Sequence, residues 1–195
     1  MAKIVNINDI EDFNVFYNQI SHKRQFYNKE ISKTVAGILL DVKQCCNSSV
    51  TSLTNRFDNR DVQIIDELKI TKEDVEEAFS RTNSKIIDVL KLSMDRIHNY
   101  HSKYMPEKIN TYIDDTGTEL GMKWSPMNSA GVYVPGGLAS YPSSVLMNVI
   151  PANVAGVNRI VMTVPAPNGH INDVVLAAAH LAGVEEIYSI GGAQA

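Results

Sequence analysis

The sequence predicts an α/β fold in which a mainly helical N-terminal region, 1–106, precedes an incomplete βαβαβ parallel sheet over 107–195. Three observations carry this expectation. Between Lys29 and Tyr104 apolar residues recur at three and four positions, the period of an amphipathic helix. After Pro106, a natural helix stop, the texture changes to alternation and β-formers. From Gly131 onward short apolar runs alternate with helical stretches, which calls for parallel strands joined by right-handed crossovers.

Taken in order, Ile31, Val35, Ile38, Leu39 and Val42 form one helical stripe, and Val50, Leu53 and Phe57 form a second. A break is expected from Asp58 to Asp66. In "ITKEDVEEAF" Thr71 stands three residues before Asp74, a start resembling a capping box. Ile86, Leu90, Met94, Ile97 and Tyr104 continue a helical face, with Thr82-Asn83-Ser84 as its candidate interruption. Gly117 is the expected turn of a hairpin between "INTYIDD" and "TELGMKW". Strands are expected at 131–134, 159–164 and 185–190, and helices at 143–157 and 171–183. Pro151 is expected to kink or divide the first of these helices. The sequence reaches "GGAQA" directly after a strand, where a covering helix should begin, so a truncated chain is the expectation.

With 195 residues, 44% of them apolar, the chain can bury a core. A net charge of -4 and a pI near 5.7 disfavour nucleic acid as a partner, because covering phosphates needs a basic surface. The N-terminus carries Asp9 and Glu11 and no apolar signal region, and no run reaches the ~18 apolar residues of a membrane helix, so a cytoplasmic protein without membrane contact is expected. The only cysteines, Cys45 and Cys46, are adjacent and read as reduced thiols rather than a disulfide or a metal pair.

In open α/β sheets, ligands lie beyond the carboxyl ends of the strands, against helix N-termini. Gly136-Gly137 and Gly191-Gly192 both fall at such ends. They either open the strand ends to a ligand or simply make tight turns, and the fingerprint G-x-G-x-x-G is absent. Tyr133, Ser143, Ser144 and Gln194 are the polar side chains best placed to line the crevice, although Tyr133 also suits strand packing and Ser143 a helix N-cap. No G-x-S-x-G elbow surrounds either serine, which disfavours nucleophilic hydrolysis. His98 and His101, three apart, lack a third ligand and read as a solvated helix face, as do His170, His180 and the charges of Lys72 to Glu77.

The combination of "YVPGG", "YPSSVLMN" and "GGAQA", with "TELGMKWSPMNSAGVYVPGG" and "KEISKTVAGILLDVKQ", closely resembles the histidinol dehydrogenase family over about Ile31 to Ala195. The resemblance implies a Rossmann-like NAD-binding domain in a zinc-containing, cytoplasmic homodimer. It implies oxidation of L-histidinol to L-histidine through histidinaldehyde, with two NAD consumed. Carried over by motif, Tyr133 and Gln194 are NAD contacts, Gly136 and Gly137 allow the cofactor's approach, and Ser143 lies near the histidinol pocket. The family's Glu-His base pair, its zinc ligands and a further NAD-contacting asparagine follow the "GGAQA" segment, so no catalytic base or metal ligand is expected within the 195 residues, which should be inactive alone. Where the family usually reads like Gly-Asp-Glu-Ala-Leu, this sequence has "CCNSSVTSL", a departure at a helix junction. The rival expectation is a naturally short, non-catalytic nucleotide-binding or dimerisation module.

Overall fold

The computed structural model describes the backbone of residues 10–136 and 140–195, and their side chains except those of 10 and 22–28. One compact unit ends at Cys46 and a second spans Asn47–Ala195.

Helix α1, Ile10–Asp58, begins with Glu11 and Asp12, acids that suit the positive end of the helix dipole. Within it Cys46 leaves the helical region at φ 49° and ψ -128°, so the helix consists of segments 10–45 and 47–58. The break falls inside "CCNSSVTSL". In the first segment Ile31 and Leu39 are exposed, while Val35, Ile38 and Val42 are half-buried. In the second segment the buried face differs from the expected one. Val50, Thr51, Thr54 and Asp58 are buried, and Phe57 is exposed. Part of this polar face finds partners, since the Thr51 hydroxyl donates to Asn47 O at 2.9 Å and Asp58 Oδ2 accepts the buried Ala166 N–H at 3.2 Å, whereas the buried Thr54 hydroxyl is left without one.

The chain then forms a four-stranded sheet in the spatial order β1-β6-β5-β4. Strands β4 (Ser129–Tyr133), β5 (Arg159–Thr163) and β6 (Glu186–Tyr188) are parallel, as the sequence predicts. Strand β1, Lys69–Ile70, pairs antiparallel with β6 and has no counterpart in the sequence reading. Two residues carry no periodicity, and only pairing with a strand more than a hundred positions away makes them a strand.

Helices α2 (Lys72–Arg81), α3 (Ser84–Lys103), α4 (Pro142–Ala155) and α5 (Asp173–Ala182) complete the unit. Thr71 caps α2 with the full reciprocal box to Asp74, and Asn83 caps α3 by accepting Lys85 N–H, so "TNS" is a true boundary. Pro151 does not divide α4. Pro lacks an N–H, and the carbonyl freed by it belongs to Met147, an exposed position where water can serve as partner.

Because β4, β5 and β6 lie side by side in chain order, two right-handed crossovers place α4 and α5 on one face. There α4 packs on α5, α5 on α2, and α3 on α4. The core joins Val132, Val134, Met162, Val164 and Ile187 of the sheet and following loops to Val145, Leu146 and Val149 of α4 and Ala177–Ala179 of α5. On the alternate face of the sheet Gly131 and Tyr133 are exposed, and Val161, Thr163 and Tyr188 are half-buried.

A separate two-stranded hairpin, β2 (Ile109–Ile113) and β3 (Glu119–Lys123), leaves every residue of both strands exposed. Gly117, at φ +83°, takes the left-handed position that its turn requires. Asp114 Oδ1 accepts Thr116 N–H at 2.8 Å and Thr118 N–H at 2.9 Å.

Arg81, at the end of α2, grips Asp173, at the start of α5, through two hydrogen bonds of 3.0 and 2.8 Å. This hydrogen-bonded guanidinium holds the Asp173 carboxyl below its ordinary value. A lowered folded-state pKa means that the stabilisation is present above the unfolded aspartate value of about 3.9 and is lost as pH falls through the folded one. The pair is partly exposed and screened by solvent, so its effect on the melting midpoint is small, about 2–4 °C or less. Between pH 6 and pH 3 the wild-type midpoint should therefore fall more than that of Asp173→Asn; parallel pH profiles would remove the pair from the account of stability.

Candidate functional site

Since β4, β5 and β6 are parallel, their carboxyl ends meet at one edge, with Tyr133, Thr163 and Tyr188 in register. Three loops leave that edge, carrying Pro135-Gly136, Pro165-Ala166 and Gly191-Gly192. Pro165 stands between the glycines. A Cβ on Gly136 would lie 3.0 Å from Pro165 Cγ, and one on Gly191 would lie 2.5 Å from Pro165 Cβ and 3.0 Å from its Cα. The missing side chains thus let the three loops converge, which gives these glycines a packing reason as well as any ligand reason.

Tyr133 reaches beyond its own strand. Its hydroxyl accepts the Gly192 N–H at 3.2 Å, so the ring links the end of β4 to the loop after β6. Gly192 adopts φ +70° at the start of a short 3-10 turn, Gly192–Gln194. Gln194 folds back over it, with Oε1 2.6 Å from where a Gly192 Cβ would sit. The Gln194 side chain is 5% exposed, and its Oε1 has no hydrogen-bond partner. An orphaned buried acceptor of this kind costs roughly 1–3 kcal/mol, which a donor arriving on a ligand would recover.

A cavity of about 240 Å³ opens beside these loops, lined by Gly136, Ser140, Val164, Pro165, His170 and Asn172 among others. It lies at the carboxyl ends of β4 and β5 and at the start of α5, where Asn172 caps by accepting Val174 N–H. Its volume is below the ~300–1,000 Å³ of pockets that engulf a whole drug-sized ligand, and suits part of a dinucleotide. A larger hollow of about 470 Å³, bordered by Thr71, Val75, His180 and Val184, sits at the opposite, N-terminal end of β6, where open α/β sheets do not place ligands. The groups at the strand ends are neutral hydrogen-bonding groups and backbone amides, a set built for binding and orientation.

The structure brings Tyr133, Gly136 and Gln194 to one edge. Gly137 lies outside the described residues. Ser143 is exposed in the first turn of α4, and no hydrogen bond joins it to Tyr133 or Gln194. It is not the helix cap either, since Tyr141 holds that position without a side-chain bond. His180 packs its ring on Phe79 with centroids 4.6 Å apart, and His98 Nδ1 lies 3.4 Å from Ser102 Oγ. Among the described residues no three His, Cys, Asp or Glu side chains converge, so these residues do not fit a zinc site. They fit the end of a dinucleotide better, through the open backbone and the unpaired Gln194 Oε1. Among the described residues no helix is long and apolar enough to cross a membrane. Sequence reasoning missed Pro165 and Asp58. The glycine pairs hinted at a close approach, but nothing in them named the residue approached.

A family model described as histidinol dehydrogenase matches residues 21–195. The chain is 49% identical over 166 residues to the histidinol dehydrogenase of Acinetobacter baylyi, covering 85% of this chain and 38% of that protein. It is 46% identical over 168 residues to that of Agrobacterium fabrum, covering 86% and 38% respectively. A crystal structure of histidinol dehydrogenase from Elizabethkingia anophelis matches with a TM-score of 0.77 at 26% identity, over 84% of this chain and 37% of that one. The chain spans about two-fifths of the length of the curated relatives it matches.

Proposed function

We propose, since this chain belongs to the histidinol dehydrogenase family, that it forms the N-terminal part of a histidinol dehydrogenase and holds one end of NAD at the carboxyl edge of β4, β5 and β6. The observation that carries this reading is the unpaired, buried Gln194 Oε1 in the same loop whose Gly192 N–H is bound by the Tyr133 hydroxyl. Gln194 accepts a hydrogen bond from a hydroxyl or amide of the cofactor. Tyr133 both fixes the Gly192 loop and offers its exposed ring as a wall. Gly136 leaves the β4 end open to the cofactor, and Ser143 serves the L-histidinol side.

NAD, when bound, supplies the acceptor for hydride from the carbinol carbon of L-histidinol and then from histidinaldehyde. What the described residues contribute is binding and orientation at the strand ends. They supply no zinc site. A cytoplasmic homodimer is part of the same proposal.

Titration of the 195-residue chain with NAD, followed by amide NMR, should shift the resonances of Gly136, Gly191, Gly192 and Gln194, with half-saturation near ~1 mM. Gln194→Leu should weaken that binding about tenfold while the melting midpoint holds or rises, because it removes an orphaned acceptor. Shifts confined to other residues, or unchanged affinity in Gln194→Leu, would move the cofactor away from this edge.

A further inference from the structure

Cys45 and Cys46 take no part in the strand-end site, and they open the stretch "CCNSSVTSL", where the sequence departs from the histidinol dehydrogenase pattern. Neither is in a disulfide, and both are exposed. In an unbroken α-helix successive side chains point about 100° apart, which would spread two neighbouring thiols. Cys46 leaves the helix at φ 49° and ψ -128°, which re-aims its side chain relative to that of Cys45. Glycine takes that conformation readily, whereas a Cβ opposes it. A cysteine held there, with its side chain exposed, has a reason other than packing.

Distance and ligand number then decide what the pair can hold. Across a trans peptide the two Cα atoms are about 3.8 Å apart, short of the roughly 4.4–6.8 Å of an unstrained disulfide, so a direct S–S bond is disfavoured. An atom between the sulfurs, bonded to each at about 2.3 Å, lets them stand further apart and relieves that strain. Zinc is not that atom, because it needs three or four protein ligands and, among the described residues, no third His, Cys, Asp or Glu joins the pair. Thiolates select soft ions, and monovalent copper is satisfied by two sulfurs alone. We propose that Cys45 and Cys46 form a two-sulfur site for monovalent copper. Each thiol gives its proton to solvent and each sulfur donates an electron pair to the metal, so one copper ion enters, two protons leave and no oxidation state changes. The exposure of both side chains gives the ion its entry path. This site does not rest on the NAD assignment, since it uses neither the strand ends nor Gln194.

The test is an anaerobic titration of the reduced 195-residue chain with monovalent copper held by the coloured chelator bicinchoninate. The wild type should withdraw one copper per chain, and X-ray absorption at the copper edge should show two sulfur neighbours and no nitrogen or oxygen. Cys45→Ser and Cys46→Ser should each weaken binding about 100-fold or more, because a single thiol loses the high effective concentration of its neighbour. Cys46→Gly separates binding from folding. It should lose the copper as fully as Cys46→Ser while its melting midpoint holds or rises, since glycine suits the backbone there. Divalent zinc should bind the wild type no more tightly than it binds Cys46→Gly. A wild type that takes no more copper than Cys46→Gly, one copper shared between two chains, nitrogen or oxygen neighbours at the metal, or zinc binding that depends on Cys46 would each overturn the proposal. None of these results bears on the NMR titration, so the two readings fail separately.

Discussion

Replacing Gly191 by alanine is expected to lower the melting midpoint of the chain by about 6 °C, roughly 2 kcal/mol. The added Cβ would stand 2.5 Å from Pro165 Cβ, 2.7 Å from its Cγ and 3.0 Å from its Cα. One of these atoms is backbone, and the others belong to a ring that cannot rotate aside. Pro165 cannot retreat either, since Gly136 on another loop flanks the ring so closely that a Cβ there would lie 3.0 Å from Pro165 Cγ, and the next residue, Ala166, is buried with its N–H bound to Asp58. The strain must therefore move the Gly191 loop, and with it the Gly192 N–H held by Tyr133. Gly131 is the control: a Cβ there meets nothing within 4 Å, so Gly131→Ala should change the midpoint by about 1–2 °C at most. If Gly191→Ala melts with the control, the loops are not as tightly locked as the contacts indicate.

Those contacts also show what the sequence could and could not disclose. The capping box at Thr71 is local, with both partners three residues apart, and it forms as read. The parallel order of β4, β5 and β6 follows from the alternation of strands and helices, which restricts the chain to right-handed crossovers. By contrast, β1 exists only through its pairing with β6, and the buried Asp58 is bound by a loop more than a hundred residues away. Amphipathic periodicity ranks Phe57 above Asp58, because it weighs side chains by polarity and is blind to distant hydrogen-bond partners. The positive φ of Cys46 is likewise invisible, since cysteine has no preference for that region. At the strand ends the motif pointed to Tyr133, Gly136 and Gln194. It did not reveal the proline that they surround, nor that Gln194 keeps an acceptor unpaired.

The segment 47–68 is the part of this unit whose role was least legible, and Leu68 decides what that role is. Leu68 is fully buried yet lies outside the main apolar core between the sheet and its helices. Its carbonyl accepts both the backbone N–H of Ser189 at 2.7 Å and the Ser189 hydroxyl at 2.9 Å, two residues before Gly191. Leu68 therefore anchors the end of β6 from the side opposite to Tyr133. Leu68→Ala should cost about 3 kcal/mol, or close to 9 °C in melting midpoint, as expected for a leucine deleted from a site that cannot collapse. An exposed leucine such as Leu92 should cost about 0.5 kcal/mol or less when truncated. Were the segment only a connector, its side chains would repack or swing to solvent, and Leu68→Ala would resemble the Leu92 control. The larger loss should also be accompanied by faster amide exchange at Ser189 and Gly191, since the strand end that carries the proposed cofactor contacts would lose the packing that holds it in place.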